Sequence, residues 1–180
     1  MLITAIKQTS PGRLTVTLED EREIKTTLGV VTDLRLFSGR ELDEGALEEL
    51  ERESRRALTR EKALEYLSRR AMSRKELEKK LTDKGYDEED AAYCAAWLAE
   101  RGLIDDAGYA AAVARHYSAK GYGPGRIRSE LSRRGIDRDM WDEVLDAAPR
   151  DDSKIDKFES ERVRYKERAE KVASVLTDYL

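Results

Sequence analysis

The sequence predicts a mainly α-helical chain, with tandem three-helix repeats preceded by a small antiparallel β meander at the N-terminus. Three observations carry that prediction. The first is an echo. Ser73-Arg74-Lys75-Glu76-Leu77-Glu78-Lys79-Lys80-Leu81-Thr82-Asp83-Lys84-Gly85-Tyr86-Asp87 returns fifty residues later as Gly123-Pro124-Gly125-Arg126-Ile127-Arg128-Ser129-Glu130-Leu131-Ser132-Arg133-Arg134-Gly135-Ile136-Asp137. Both copies hold apolar residues four apart, a basic residue before a glycine, then an apolar residue and Asp. Repetition of one small helical unit points to an array that presents a surface, not to a single pocket built for chemistry. The second is composition: 40% of the 180 residues are charged and 7% aromatic, which suits thin amphipathic helices sharing small cores. The third is the alternation of apolar and polar residues over the first 28 positions, interrupted by turn signals.

Residues 1–28 read as three strands. Ile3 and Ala5 alternate with polar neighbours, then Leu14, Val16 and Leu18 do so after the turn Ser10-Pro11-Gly12. Glu19-Asp20-Glu21 turns the chain again, and Ile24, Thr26 and Leu28 form the third strand. Such a meander is too small to be stable alone. Gly29 to Phe37 predicts a short helix starting near Thr32 or Asp33, broken by Ser38-Gly39-Arg40. Asp43 is placed as an N-cap, and a long helix or two abutting helices cover about 43–70.

Ser73 and Glu76 then form a capping box, Leu77 and Leu81 share a face, and Gly85 stops the helix. Asp87 caps the next helix, which carries Ala91, Cys94, Ala95, Trp97 and Leu98 and ends at Gly102. Asp105 and Asp106 open the second unit as caps. Tyr109, Val113, His116 and Tyr117 recur at three and four residues. Pro124 fits the first helical position, where its missing N–H costs nothing. Ile127 and Leu131 are the buried stripe, Arg134 answers the helix dipole, and Gly135 stops the helix. Asp137 is expected to cap a last helix bearing Trp141, Val144 and Leu145. Ile155, Phe158, Val163 and Tyr165, then Val172, Val175, Leu176 and Leu180, suggest a further helical segment. The expected division is 1–42 for the β-rich extension, 43–104 for the long helix and first unit, 105–150 for the second unit, and 151–180 for a truncated or degenerate third. One unit holds few large apolar residues, so packing against its neighbours is expected.

Cys94 and His116 are the only cysteine and histidine, so neither an internal disulfide nor a Cys/His metal cluster can be assembled. No loop has calcium-binding spacing. Gly121-Tyr122-Gly123-Pro124-Gly125 lacks the Lys-Ser/Thr of a phosphate loop, and paired-carboxylate chemistry needs a cleft that nothing else suggests around Asp105 and Asp106. No catalytic, metal or cofactor residue is assigned, and an enzyme is the least favoured class. No run approaches the roughly 20 apolar residues of a membrane helix, and Met1 to Lys7 is not a secretory apolar run. A cytoplasmic monomer is expected.

The net charge of -4 hides blocks. Residues 52–84 hold 12 Lys+Arg against 6 Asp+Glu, 85–110 hold 1 against 7, and 111–138 hold 7 against 2. Basic surfaces therefore alternate with acidic ones, unless the blocks are simply solvated helix faces.

The run Lys120 to Ile136, the junction Gly102-Leu103-Ile104-Asp105-Asp106-Ala107-Gly108-Tyr109-Ala110, and Ala63 to Arg70 followed by Ser73 to Gly85 resemble, in order and spacing, the RecX family of regulators of the RecA recombinase. The resemblance covers roughly residues 1–150 and covers 151–180 poorly. It implies tandem three-helix repeats in a curved arrangement. It also implies binding in the groove of a RecA–single-stranded-DNA filament, inhibition of filament growth, ATPase or strand exchange, and no catalytic residues.

The candidate partner-binding residues are Lys120, Tyr122, Arg126, Arg128 and Arg133, with Arg74 and Lys75 from the first copy. Arg126 and Arg133 are seven apart and share a helix face, with Glu130 between them. Two readings stand for them: a ridge making bidentate contacts to acidic protein or phosphate, or a solvated face. Tyr122, in a turn between glycines, either stacks on a partner or covers the next helix. Tyr66, Trp97, Tyr109, Tyr117 and Trp141 read as core, Cys94 as a small buried residue, and His116 as packing or polar rim. Weak direct DNA binding through the basic blocks, or a helical adaptor for another partner, are the alternative functions.

Overall fold

In the computed structural model of the chain, residues 1–148, 164 and 166–175 are described. Three antiparallel strands, β1 (Ile3–Ser10), β2 (Arg13–Leu18) and β3 (Glu23–Thr27), form a sheet in the order β1-β2-β3. Pro11 and Gly12 turn β1 into β2, and Gly12 takes the left-handed φ of 74° that such a tight turn favours. Alternation buries Ile3, Val16 and Leu18 on one side.

The first helix, α1 (Leu28–Asp33), starts earlier than the expected Thr32 or Asp33. The third strand runs straight into it. Thr27 ends the strand and also caps the helix, its hydroxyl accepting from the Val30 N–H. Thr32 lies at the far end, where its hydroxyl donates to the Leu28 carbonyl at 2.9 Å. Phe37, at the end of the expected helix, is outside it and 60% exposed.

A single helix, α2 (Glu44–Arg69), fills the 43–70 region, with Asp43 accepting from the Ala46 N–H at 2.8 Å. Its 26 residues span about 39 Å at 1.5 Å each, long enough to serve two cores. Leu50 and Ala57 belong to the core under the sheet, while Ala63, Leu64, Tyr66 and Leu67 belong to the next. The buried Ser54 hydroxyl donates to Thr26 Oγ1 at 2.8 Å and ties the helix to β3. This packing supplies the stability that three strands alone lack.

The first unit combines the second half of α2 with α3 (Arg74–Asp83) and α4 (Glu88–Glu100). The second unit is α5 (Asp106–Ala119), α6 (Pro124–Arg133), a single 3-10 turn (Arg138–Met140) and α7 (Trp141–Ala147). Each unit has its own core: Leu77, Leu81 and Leu98 lie in the first, and Ile127, Leu131 and Ile136 in the second. Tyr66 and Tyr109 are buried as expected, whereas Trp97, Tyr117 and Trp141 are half-buried and pack on the margins. Asp87 caps α4 through the Asp90 N–H at 3.1 Å. Asp137 makes no cap bond. Its carboxylate instead pairs with the Lys75 ammonium of the first unit.

Of the 151–180 segment, residues 166–175 form a helix, α8. Val172 is fully buried in the first unit's core, and the Arg168 guanidinium donates to the Leu103 carbonyl at 2.8 Å. Ile155, Phe158, Val163, Tyr165, Leu176 and Leu180 lie outside the described residues. No helix among the described residues is long and apolar enough to cross a membrane.

Candidate interaction surface

The two echoing segments fold alike, each into a ten-residue helix closed by a glycine. The ten residues Arg74–Asp83 and the ten residues Pro124–Arg133 are helical. Each helix ends at a glycine with positive φ, 98° at Gly85 and 69° at Gly135. In each, the glycine N–H and the next N–H close back on the last turn: Gly85 on Thr82 and Tyr86 on Leu81, then Gly135 on Ser132 and Ile136 on Leu131. These bonds satisfy carbonyls that a helix end leaves open. Leu77 and Leu81, or Ile127 and Leu131, are the buried face.

Flanking this buried face, α6 carries Arg126 and Arg133, whose side chains are 59% and 66% exposed. Beneath them lies Glu130, only 4% exposed. Its carboxylate is 2.7 Å from Arg133 and 3.4 Å from Arg126, with Arg134 at 3.8 Å. The Arg133 guanidinium beside Glu130 holds that carboxyl below the usual range against the opposing effect of burial, and the Tyr117 hydroxyl assists. Glu130 in turn raises the Arg133 guanidinium.

Tyr117 links the remaining candidates. The Tyr122 ring lies 5.5 Å from it, and the Lys120 ammonium is 6.0 Å from its centroid. Tyr122 is 47% exposed. Thus Lys120, Tyr122, Arg126 and Arg133 gather around the Tyr117–Glu130 pair. Arg128, roughly 200° around the helix from Arg126, leaves this group and faces Asp142 of α7 at 3.7 Å. His116 is exposed, edge-on to Tyr117 at 5.5 Å.

Arg74 and Lys75 are placed elsewhere, where the two units meet. The Arg74 guanidinium pairs with Glu78 at 2.9 Å, and its backbone N–H donates to Asp106 at 2.8 Å. Lys75 pairs with Asp137, which raises its ammonium pKa. The Ser73 hydroxyl donates to the Arg134 carbonyl while also accepting from the Glu76 N–H, so one side chain caps its own helix and fastens the neighbouring unit. The capping box is complete.

Asp105 caps α5 as expected through the Gly108 N–H at 2.9 Å, but Asp106 serves the junction instead. Arg134 is also more than an answer to the helix dipole. Three-quarters buried, it donates to the Tyr109 hydroxyl at 2.5 Å. A cleft of about 610 Å³ opens beside it, lined by Tyr109, Val113, His116, Arg134 and Arg168 among others.

Aligning the copies at the fifty-residue offset reveals the signal that sequence reasoning overlooked: Arg126 matches Glu76, Glu130 matches Lys80, and Arg133 matches Asp83. The charges of the ridge are inverted between copies. Lys80, where α6 has its buried carboxylate, is exposed with its ammonium 4.5 Å from the Tyr66 ring.

Among the described residues no group of three or more His, Cys, Asp or Glu is placed to hold a metal. Burial pushes the Cys94 thiol up to about 12, so it stays protonated and unreactive at neutral pH.

Comparison with known proteins agrees with this layout. Residues 60–98 match the family model of the first three-helix domain of RecX, and residues 105–145 that of the second. The regulatory protein RecX of Pseudomonas entomophila (strain L48) is 42% identical over 86 residues, which are 48% of this chain and 56% of that protein. The regulatory protein RecX of Xanthomonas campestris pv. campestris (strain B100) is 43% identical over 79 residues, 44% of this chain and 49% of that protein. The chain therefore spans about half the length of the curated relatives it matches. A crystal structure of regulatory protein RecX superimposes with a TM-score of 0.66 at 29% identity, over 81% of this chain and 72% of that one.

Proposed function

This chain belongs to the RecX family of regulatory proteins, and from that premise we propose that it binds the RecA–single-stranded-DNA filament and restrains it. Its main effect is inhibition of the ATPase, recombinase and coprotease activities that the filament supports. The observation that carries this reading is the α6 patch: two exposed guanidinium groups fixed over a buried carboxylate, with Lys120 and Tyr122 beside them. Planar guanidinium donors on a rigid helix suit bidentate contact with carboxylates or phosphates, both of which a nucleoprotein filament offers. The division of the chain into an extension (1–42), a first unit (43–104) and a second unit (105–150) belongs to the same reading. In it the first unit and the sheet hold the second in position.

The test is RecA-catalysed ATP hydrolysis on single-stranded DNA with increasing amounts of this protein. Inhibition is expected. Replacing Arg126 and Arg133 together by Glu is expected to weaken it while helical circular dichroism is retained. No change in hydrolysis at several-fold excess over RecA would sink the proposal.

The exposed cations also support a second reading, direct binding to nucleic acid. It predicts affinity for an oligonucleotide without RecA that falls steeply with salt, the slope counting the phosphates neutralised. Glu130 already answers part of the charge of Arg126 and Arg133, which favours the protein-borne surface over free DNA.

A further inference from the structure

We infer that Glu130 is a positioning residue, which holds Arg126 and Arg133 as one preformed fork for a single anionic group on the partner. This rests on the filament-binding reading above. The argument starts from the helix period. Residues seven apart are two turns apart and nearly eclipsed, so two long arginine side chains rise from one line on α6. Left to themselves they would sample many rotamers, and binding would have to order both. Glu130, four residues after Arg126 and three before Arg133, lies between them.

The Glu130 carboxylate is covered by the side chains that pair with it, leaving the residue 4% exposed. It accepts two bonds from Arg133, from Nε at 3.2 Å and Nη2 at 2.7 Å, and faces Arg126 at 3.4 Å. Arg134 on its other side is itself held by the Tyr109 hydroxyl. Three guanidinium groups surround one carboxylate, so the cluster keeps excess positive charge for a second anion.

The first copy supplies an internal control. At the matching places it has Glu76, Lys80 and Asp83, with Glu76 drawn into the junction through Tyr109 and Asp83 paired with Lys79 at 2.9 Å. It has no buried carboxylate under a pair of arginines. At these matching positions the fork belongs to α6; in the first unit a different buried carboxylate, Asp90 of α4, lies 3.1 and 3.4 Å from Arg55 and Arg56 of α2.

Three measurements on Glu130→Gln test this. In nitrogen relaxation of the arginine Nε–H groups, Arg133 should be ordered in the unchanged protein and mobile in the variant. In co-sedimentation with RecA filaments, the variant should lose about fivefold or more in affinity because the fork is no longer preformed. Its binding to a free oligonucleotide should not weaken, since one negative charge has gone. A purely electrostatic role would strengthen both interactions. Arg133→Lys, which keeps the charge and discards the fork, should lose filament affinity in the same way and guards against a Gln variant that fails to fold. A mobile Arg133 in the unchanged protein, or undiminished sedimentation of either variant, overturns the positioning role while filament binding stands. Failure of the unchanged protein to sediment with filaments overturns the functional reading and this inference with it.

Discussion

Helices α3 and α6 are the same object inside and different objects outside. Both have ten residues, bury two branched aliphatic side chains and end on a left-handed glycine. Their first turns meet opposite circumstances. The N–H of Arg74, at the first position of α3, has no partner within its own helix and is accepted by Asp106 of the second unit. The matching position of α6 is Pro124, which has no N–H to satisfy. Ser73 caps α3 and reaches across to the Arg134 carbonyl, whereas Gly123 offers α6 no side chain. The start of α3 is therefore occupied in holding the second unit, and the start of α6 is left open. The copies agree where the interior makes the demand and part where a neighbour or solvent makes it.

The agreement is the easiest part to break. Leu81 and Leu131 are fully buried at matching positions, and removing a buried leucine side chain costs about 2–5 kcal/mol. Leu81→Ala and Leu131→Ala should each lower stability by an amount in that range in chemical denaturation. A cost near zero for one of them would mean that the copies do not share a core role.

The glycines sharpen the difference. An alanine in the left-handed region costs roughly 1–2 kcal/mol through its own backbone, and that should be nearly the whole cost of Gly85→Ala, because an added Cβ there meets nothing within 4 Å. At Gly135 an added Cβ would sit 2.6 Å from Lys75 Cβ. That atom is anchored to the α3 backbone, so relief requires the units to part. Gly135→Ala should exceed Gly85→Ala by about 1 kcal/mol or more, measured as the difference in unfolding free energy. Equal costs would count against the tight junction.

What the sequence disclosed follows the same line between local and distant causes. The capping box at Ser73, the cap at Asp43, the stops at Gly85 and Gly135 and the Ile127–Leu131 stripe depend on residues within a turn or two, and all were legible. Asp137 and Lys75 were not, because they are 62 residues apart and nothing in either segment announces the other. Asp137 stands where Asp87 caps its helix, so its pattern alone suggested a cap. Thr27 belongs to the third strand in sequence and structure alike, and only the fold shows that it also caps α1. At the site, Arg126, Glu130 and Arg133 could be placed on one face from spacing, but the burial of Glu130 depends on how α6 packs on α5. The docking of Val172 into the first core depends on how residues far apart in the chain come together.

A quieter expected effect lies at Asp106, the acceptor that α3 needs and α6 does not. Burial raises its carboxyl above the ordinary aspartate value, with the neighbouring Asp137 adding to the rise and the Arg74 amide opposing it. A carboxyl raised in the folded state takes up its proton there before it does so in the unfolded chain, so its charged form is a liability at neutral pH that fades as pH falls through the raised value. Asn keeps an oxygen for the Arg74 N–H and carries no charge. Asp106→Asn should therefore raise the melting temperature slightly at pH 7, and the gain should shrink as pH is lowered. The opposing force is the positive end of α3, which favours a negative neighbour. If the variant melts lower at pH 7, that attraction outweighs the cost of burial. The second unit would then hold α3 by charge as well as by hydrogen bonding, a hold for which Pro124 leaves α6 no equivalent need.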